Sequence, residues 1–258
     1  MKNIYEQDLG KTLANYAQLT PLNFLERCAS VYPHKSSLIH GDRVFTWLET
    51  YQRSCLLASA LKKVGIGKGD TVSFMGANTP ETYEAHFGVP MTGAVLNALN
   101  IRLDSKSIAF ILDHAEPKVL FTDREFSKTI KGALDLVEKK PLVVDIDDPN
   151  FSGGELIGDR SFEDFLSSGE PEYRCFQIED EWQAISLSYT SGTTGNPKGV
   201  VYHHRGSYLM STGSAAAWNM PNRLNFLTVV PMFHCNGWGY PWTCLLYTSD
   251  AADEGLGV

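Results

Sequence analysis

The chain has 258 residues, with 22 lysines and arginines against 30 aspartates and glutamates, which gives a formal net charge of -8. This length suits one large domain or two smaller ones. A hydrophobic content of 43% with 20% charged residues is ordinary for a globular protein and excludes wholesale disorder. The acidic balance offers no basic face for phosphate backbones, so nucleic acid is not expected as a partner.

Cysteine spacing and the distribution of charge indicate the compartment. Five scattered cysteines include no C-x-x-C pair, which argues against a disulfide framework and a zinc knuckle. Glu6 and Asp8 stand where a signal peptide would need its apolar stretch. Residues 224–249 lack Asp, Glu, Lys and Arg, but prolines, glycines, His234 and Asn236 interrupt them too densely for a lipid-exposed helix. We therefore expect a soluble, cytoplasmic protein without a transmembrane segment.

The first elements are predicted from turn and cap signals. Thr20 as N-cap and Pro21 in the first helical position predict a helix over 20–31. A short hairpin is predicted over 37–45, with its turn at a Gly-Asp pair. These signals indicate a helix followed by a small antiparallel unit at the start of the domain.

A second helix is marked at both of its ends. Thr46 followed three residues later by Glu49 forms a capping box, in which each side chain bonds the other residue's backbone N–H. The helix is predicted to end near Val64, because Gly65 readily takes the left-handed conformation that closes a helix.

Strands and helices then alternate. Strands are predicted over 71–75, 95–99, 118–122 and 141–146, and helices over 80–92, 105–114 and 125–138. This alternation predicts an α/β fold with a mostly parallel sheet covered by helices on both faces. The stretch 147–160 is predicted as a surface loop, and Asp145, Asp147 and Asp148 as solvated carboxylates there rather than a metal cluster.

One loop carries the chemistry. The predicted strand 184–188 runs into YTSGTTGNPKG over 189–199, and strand character resumes over 200–202. The loop combines hydroxyls, glycines and the single cation Lys198, which suits polyphosphate: backbone N–H groups can approach closely and the charge is complementary. The pattern cannot be aligned with a Walker A loop. From composition alone, a solvated Ser/Thr/Gly surface loop is the competing interpretation.

The complete string resembles the signature of the adenylate-forming superfamily of acyl-CoA synthetases, luciferases and peptide-synthetase adenylation domains. Further segments resemble its branch of fatty-acyl-CoA ligases, methylthiopropionate-CoA ligases and plant acyl-activating enzymes. These segments are 20–32, 41–50, 83–104, 189–208 and 231–243. The resemblance implies the N-terminal part of the adenylate-forming fold, truncated, because the chain corresponds to under half of a family member.

What the resemblance implies is a two-step ligase reaction. A fatty or methylthioalkanoic carboxylate attacks the α-phosphate of ATP, and coenzyme A then displaces AMP to give a thioester. Lys198 is implied as a catalytic residue, and Thr190 as a contact to Mg²⁺. The implied polyphosphate contacts are Thr190, Ser191, Gly192, Thr193, Thr194, Gly195 and Lys198. ATP, Mg²⁺, coenzyme A and a small carboxylic acid are thus the expected ligands, and a homo-oligomer stays open for a full-length parent.

The second motif is MFHCNGW over 232–238, after a predicted strand over 226–230. Amino-acid adenylation domains place an Asp near here, whereas this motif has no acid to pair with a buried ammonium, which disfavours amino-acid substrates. By resemblance, His234 forms a wall of the acyl site and is a candidate catalytic residue, and Trp238 lines the pocket. The alternatives are a core histidine and plain aromatic packing.

Other candidates are weaker. His203 and His204 are adjacent on a predicted strand, so they point to opposite faces and cannot easily share a metal ion. Cys235 beside His234 invites a thiol nucleophile, but packing as a small hydrophobe is favoured. The nearby aromatic cluster, which includes Trp238, is interpreted as pocket lining rather than as a membrane-facing surface.

The C-terminal stretch departs from the family pattern. Residues 244–258 resemble the translation of a transposase adapter used in sequencing libraries, so we expect 1–243 to be an incomplete AMP-binding domain and 244–258 to be non-native. Two rival hypotheses follow: a non-catalytic nucleotide-binding fragment, and an unstable truncation product with unpaired strands and exposed apolar surface.

Overall fold

A computed structural model of the chain describes residues 3–12, 14–175, 178–190, 196–221 and 224–246. Its strands are β1 (Ser36–His40), β2 (Arg43–Thr46), β3 (Thr71–Met75), β4 (Val95–Ala98), β5 (Val119–Asp123), β6 (Leu142–Ile146), β7 (Arg160–Ser161), β8 (Ala184–Thr190) and β9 (Lys198–His203).

The helices alternate with these strands. They are α1 (Leu22–Val31), α2 (Trp47–Lys63), α3 (Pro80–Gly88), α4 (Ser105–Ala115), α5 (Ser127–Leu134), α6 (Phe162–Ser167), α7 (His204–Ala217), the four-residue α8 (Cys235–Trp238) and α9 (Tyr240–Leu246). Short 3₁₀ turns cover Ile4–Glu6, Pro90–Thr92 and Arg124–Phe126. The predicted helices over 80–92 and 125–138 are therefore shorter than expected, because each contains a 3₁₀ turn at one end.

Seven strands form one sheet in the order β7-β6-β5-β3-β4-β8-β9, and β1 pairs with β2 in a separate antiparallel hairpin. Every pairing in the large sheet is parallel except β8 with β9. The predicted α/β fold with a mostly parallel sheet is thus confirmed. The antiparallel partner β9 forms one edge of the sheet.

Helices cover both faces of this sheet, as predicted. On one face, Phe74 and Phe121 pack in a cluster with Leu57 of α2 and Phe165 of α6. On the other, β3 contributes Met75 to a cluster with residues of α4 and α5. Burial on both sides explains why these strands are continuous apolar runs in the sequence.

The start and end signals of α2 act as predicted. The Thr46 hydroxyl accepts from the backbone N–H of Glu49 at 3.2 Å, and the Glu49 carboxylate accepts from the backbone N–H of Thr46 at 2.7 Å. Gly65 has a φ of +83° just after the helix. The cap of α1 lies one residue later than predicted: Pro21 is the N-cap, and Thr20 instead accepts from Leu22 N at 3.2 Å.

The structure differs from the sequence-based prediction of secondary structure in three places. Residues 226–230 form no strand, since Leu227 and Val229 point to solvent at 81% and 73% exposure and no described strand pairs with them. Helices α6 and α7 were not predicted. The polar, glycine-containing sequence of α7 lacks a clean apolar stripe, which is why periodicity missed it.

Ion pairs, some of them with buried carboxylates, link α2 and the small hairpin to helices α3 and α6. Arg53 donates to Glu84 at 2.5 Å and to Glu163 at 2.6 Å, and Arg43 donates to Glu81 at 2.6 Å. Glu84 is fully buried, and burial raises its pKa to about 7 although the Arg53 charge acts in the opposite direction. Helix α3 therefore buries carboxylates as well as apolar side chains.

The predicted solvated carboxylates are mostly not solvated. Asp145 is buried and accepts from two backbone N–H groups of the following loop at 2.7 and 3.0 Å. Asp148 is also buried and bonds His40 at 3.0 Å, while the more exposed Asp147 pairs with Arg124 at 2.6 Å. This expectation was wrong because each carboxylate braces the loop that follows β6.

Candidate functional site

The β8–β9 hairpin brings the predicted phosphate residues Thr190 and Lys198 together. They are register partners in the antiparallel pair, at the end where the hairpin opens into its loop, and both are exposed. Directly opposite residues share a face with their Cβ atoms about 5 Å apart, so a hydroxyl and a cation stand side by side there. The remaining predicted contacts lie outside the described residues: Ser191, Gly192, Thr193, Thr194 and Gly195.

Lys198 is electrostatically available. Within the described part of the chain, no carboxylate forms an ion pair with it. An exposed ammonium that has no internal partner is free to meet an anionic ligand at the loop. This is the arrangement that a polyphosphate requires.

The loop end of the β8–β9 hairpin is held against helix α4. The Tyr189 hydroxyl lies 2.7 Å from His114 Nδ1, and the two rings meet edge to face with 5.7 Å between their centroids. Tyr189 is partly buried, which raises its pKa. This contact fixes the residue immediately before Thr190 on a rigid element.

The segment before His234 is held by a single asparagine from the loop after β3. Asn78 donates from Nδ2 to the carbonyl oxygens of Thr228 at 3.1 Å and Val230 at 3.0 Å. Its Oδ1 accepts from Met232 N at 2.8 Å. The side chain thereby provides the backbone partners that a neighbouring strand would provide.

The segment after His234 is an unusual left-handed turn, residues 235–239. All five residues have positive φ, from +49° to +73°. Three of them, Cys235, Asn236 and Trp238, are not glycine, and left-handed backbone costs such residues about 1 kcal/mol or more each. At Gly239 a Cβ would lie 1.9 Å from Met210 Cε, so another residue there would displace the flexible end of that side chain as well as adopt a positive φ.

Asn236 attaches this left-handed turn to the sheet. It is 2% exposed, and its Nδ2 donates to Ser186 Oγ of β8 at 2.7 Å. Its Oδ1 has no hydrogen-bond partner among the described residues. The buried amide therefore links the turn to the same strand that ends at Thr190.

Of the predicted acyl-site residues, His234 lies immediately before the left-handed turn and Trp238 lies within it. His234 is exposed and Trp238 is 62% exposed, so neither is a core residue in this structure. Cys235 is also exposed, which makes the prediction of small-hydrophobe packing wrong for it. The backbone explains this: the left-handed turn buries Asn236 and Gly237 and directs their neighbours outward.

A cavity of about 660 Å³ lies on another side of this segment, between the β1–β2 hairpin, the start of α3 and α9. Its lining includes Trp47, Asn78, Tyr83, Phe226 and Tyr240. The size is typical of small-molecule pockets. His234 and Trp238 are not among its lining residues, so the structure does not bring the predicted acyl residues to this cavity.

The adjacent histidines have separate structural roles. His203 caps α7, because its Nδ1 accepts from Gly206 N at 2.8 Å. His204 is buried, which lowers its pKa to about 4, and its Nδ1 lies 2.9 Å from Thr20 Oγ1. Across the described ranges, no group of three or more His, Cys, Asp and Glu side chains could hold a metal ion.

Two asparagines of this site, Asn78 and Asn236, were not predicted from the sequence. The Asn236-Gly237 pair signals a left-handed turn, and that signal could have been used. No local pattern reports that the Asn78 side chain bonds a segment 150 residues away.

Comparison with known proteins identifies the family. The sequence profile of the AMP-binding enzyme family matches residues 25–249. The chain is 47% identical over 248 residues to the peroxisomal acetate/butyrate–CoA ligase AAE7 of Arabidopsis thaliana, covering 92% of this chain and 44% of that protein. It is 45% identical over 244 residues to the peroxisomal benzoate–CoA ligase of the same plant, covering 91% and 42%.

Solved structures show the same fold. The N-terminal domain of FACL13 from Mycobacterium tuberculosis matches with a TM-score of 0.76 at 24% identity, over 88% of this chain and 55% of that one. The anthranilate CoA ligase AuaEII matches with a TM-score of 0.74 at 24% identity, over 91% and 45%.

The chain spans less than half the length of the curated relatives it matches. Among the described residues, none of the helices has both the length and the apolar character needed to cross a membrane. The family profile matches most of the sequence, and the sheet that this sequence forms ends in the Thr190–Lys198 hairpin. The chain therefore belongs to the AMP-binding enzyme family.

Proposed function

We propose that the chain is the nucleotide-binding part of an ATP-dependent acid–CoA ligase. The observation that carries this proposal is the exposed Lys198 ammonium opposite Thr190, which pairs with no carboxylate among the described residues and borders the hydroxyl- and glycine-rich sequence 191–195. Membership of the AMP-binding enzyme family and the CoA-ligase names of the relatives support it.

In this reaction a carboxylate oxygen attacks the α-phosphorus of ATP, and the bond to pyrophosphate breaks. The thiol of coenzyme A then attacks the acyl carbon, and AMP leaves. Lys198 offsets the charge that accumulates on the phosphates. Loop hydroxyls and N–H groups, including those of 191–195, orient them.

The residues fit Mg²⁺ as the companion of ATP. Mg²⁺ keeps several waters and takes phosphate oxygens, so it needs only one or two protein oxygens. The exposed Thr190 hydroxyl can supply one, directly or through water. When bound, the ion neutralises phosphate charge and favours departure of pyrophosphate.

The acid is proposed to be a simple carboxylic acid without an ammonium group, of the fatty or methylthioalkanoic kind. Residues 233–236 provide no carboxylate for an ammonium. His234 is proposed as a wall of the acyl site next to the adenylate, and Trp238 as its aromatic lining. The relatives act, by name, on acetate, butyrate and benzoate, which supports small acids.

The test is carboxylate-dependent exchange of labelled pyrophosphate into ATP by the ligase that contains this chain. A panel of acetate, butyrate, benzoate, hexanoate and methylthiopropionate should give exchange with at least one acid, and with no amino acid. Absence of exchange across the whole panel would sink the proposal.

A second candidate is a nucleotide-binding fragment without catalysis. It is considered because the chain covers 44% of the acetate/butyrate–CoA ligase. ATP binding without exchange by the 258-residue chain supports this candidate, whereas thioester formation by that chain alone refutes it. A non-cooperative thermal melt would instead favour an unstable fragment.

We place the protein in a reducing compartment, since none of the five cysteines forms a disulfide in the structure. The cytoplasm remains the sequence-based prediction. The peroxisome is the competing location, because two of the relatives described above are peroxisomal by name. Imaging of a tagged full-length protein distinguishes the two.

A further inference from the structure

His234 lies between two asparagine anchors that belong to different parts of the fold. On its N-terminal side, Asn78 bonds the backbone at Thr228, Val230 and Met232. On its C-terminal side, Asn236 bonds Ser186 of β8. The histidine itself is exposed, so its position is set by the backbone on either side rather than by packing of its ring.

The backbone between these anchors has no regular structure to hold it. Residues 224–231 form no strand or helix. The left-handed turn 235–239 places non-glycine residues at positive φ. Backbone in such a conformation persists only where surrounding contacts over-determine it, and the two asparagine side chains supply hydrogen bonds at its two ends.

The second anchor also connects the two predicted half-sites. Ser186 lies four residues before Thr190 on β8, and Asn236 lies two residues after His234. The hydrogen bond between them is buried on both sides, since Ser186 is 0% and Asn236 is 2% exposed. A buried bond of this kind fixes distance better than a solvated one, because water does not compete for it.

We propose that Asn78 and Asn236 are positioning residues, which hold His234 and Trp238 at a fixed place relative to the Thr190–Lys198 hairpin and thereby set affinity for the acid. The proposal rests on the proposed function, because it takes His234 and Trp238 as the acyl side of the site. It assigns the two asparagines no contact with ATP, and it predicts an effect on the affinity for the acid alone.

The first test measures amide hydrogen exchange in the left-handed turn without any ligand. In the 258-residue chain, Asn236→Ala and Asn78→Ala should each raise amide hydrogen exchange about tenfold in a peptide spanning 232–243. Gly237 N and Gly239 N, which bond His234 O and Asn236 O, are the reporting amides. Asn225→Ala is the matched control, because Asn225 is exposed in the same segment, and it should leave this exchange unchanged.

Two smaller substitutions test the same bond in case the asparagine variants do not fold. Ser186→Ala removes only the hydroxyl that accepts from Asn236, and it should raise exchange in the same peptide. Ser188→Ala is its control on the same strand, since the Ser188 hydroxyl has no partner among the described residues. Equal exchange for the two serine variants contradicts the role of Asn236.

The second test separates positioning from simple stability. Alkylation of the exposed Cys235 by iodoacetamide is followed with increasing butyrate in the presence of ATP and Mg²⁺. The butyrate concentration that halves the rate should rise about tenfold in Asn78→Ala and Asn236→Ala, while ATP affinity stays within twofold of the parent. A looser turn with unchanged butyrate protection overturns the positioning role.

The two proposals fail in different ways. If the unsubstituted chain binds neither ATP nor butyrate, the proposed function fails, and the amide exchange still decides whether the asparagines hold the turn. If the chain binds both ligands and the asparagine variants match the parent in exchange and in protection, only the positioning role fails.

Discussion

The central strands β3 and β5 and the edge hairpin β8–β9 differ in burial and in the contacts that stabilise them. In β5 all five residues are buried, whereas in β9 the first four of six are exposed. The centre is held by apolar burial between two helix layers. The edge and the turn beside it are held by individual polar contacts, and there Lys198 is exposed, while Ser188 Oγ and Asn236 Oδ1 have no hydrogen-bond partner among the described residues.

This difference teaches where stability and function reside in the chain. The centre is enclosed between helices, although polar atoms such as Asn97 Oδ1 also lack a partner there among the described residues, whereas the hairpin presents side chains to solvent. The left-handed turn breaks local rules, because three of its residues at positive φ are not glycine and the buried Asn236 Oδ1 has no partner among the described residues. Such violations concentrate at functional sites.

The largest expected effect on stability is in the centre. Phe121→Ala should lower the free energy of unfolding by about 4 kcal/mol, because Phe121 is 0% exposed and its ring contacts three other phenylalanine rings. Urea unfolding measures it. A loss below about 1 kcal/mol would mean that the centre is not packed as described.

A second prediction concerns the buried carboxylate of Glu84. Its pKa is about 7 in the folded chain, because burial raises it from a model-peptide value near 4.5. The folded state therefore holds its proton more tightly, and stability that is present below pH 4.5 is lost as pH rises through 7. The free energy of unfolding of the parent should therefore fall by about 2 kcal/mol between pH 4.5 and 7. Glu84→Gln should abolish that fall.

The control for Glu84 uses the same arginine. Glu163 also pairs with Arg53 but is largely exposed, and that pairing lowers its pKa. Its contribution to stability is lost only as pH falls through that lowered pKa. Glu163→Gln should therefore leave the slope between pH 5 and 8 unchanged, and an equal effect of both variants would contradict the assignment to Glu84.

A third, smaller effect is expected at the start of α2. Thr46→Ala removes the side-chain acceptor of the capping box and should cost about 1 kcal/mol in urea unfolding. Thr46→Ser keeps the hydroxyl and should recover most of that loss. A neutral Thr46→Ala would show that the ends of α2 are held by packing alone.

The smallest effect is expected at the edge. Val201→Ala in β9 should change stability by less than about 0.5 kcal/mol, because its side chain is 61% exposed. A loss comparable to that of Phe121→Ala would abolish the contrast between centre and edge. Thermal melts of the two variants side by side provide the measurement.

Sequence reasoning succeeded where local chemistry decides the structure. The capping box at Thr46, the end of α2 at Gly65 and the apolar runs of β3 to β6 each depend on a few neighbouring residues. Strand character on both sides of the loop was also predicted, but β8 and β9 each extend two residues further into it than the predicted strands 184–188 and 200–202, which is how Thr190 and Lys198 come to pair.

Sequence reasoning failed where contacts between residues far apart in the sequence determine the structure. The run 226–230 has the composition of a strand, yet Asn78 takes the hydrogen bonds that a neighbouring strand would take. The same holds for Asn236, whose partner Ser186 lies 50 residues away. Side-chain hydrogen bonds at such separations leave no periodic signal in a sequence.

The central claim is that the β8–β9 hairpin binds the phosphates of ATP. Calorimetric titration of the 258-residue chain with ATP and Mg²⁺, compared with Lys198→Ala and with Lys128→Ala as an exposed-lysine control on α5, tests it most directly. The account predicts that Lys198→Ala weakens ATP binding about tenfold or more while Lys128→Ala binds like the parent. Equal ATP affinity of all three proteins, or no binding by the unsubstituted chain, would contradict it.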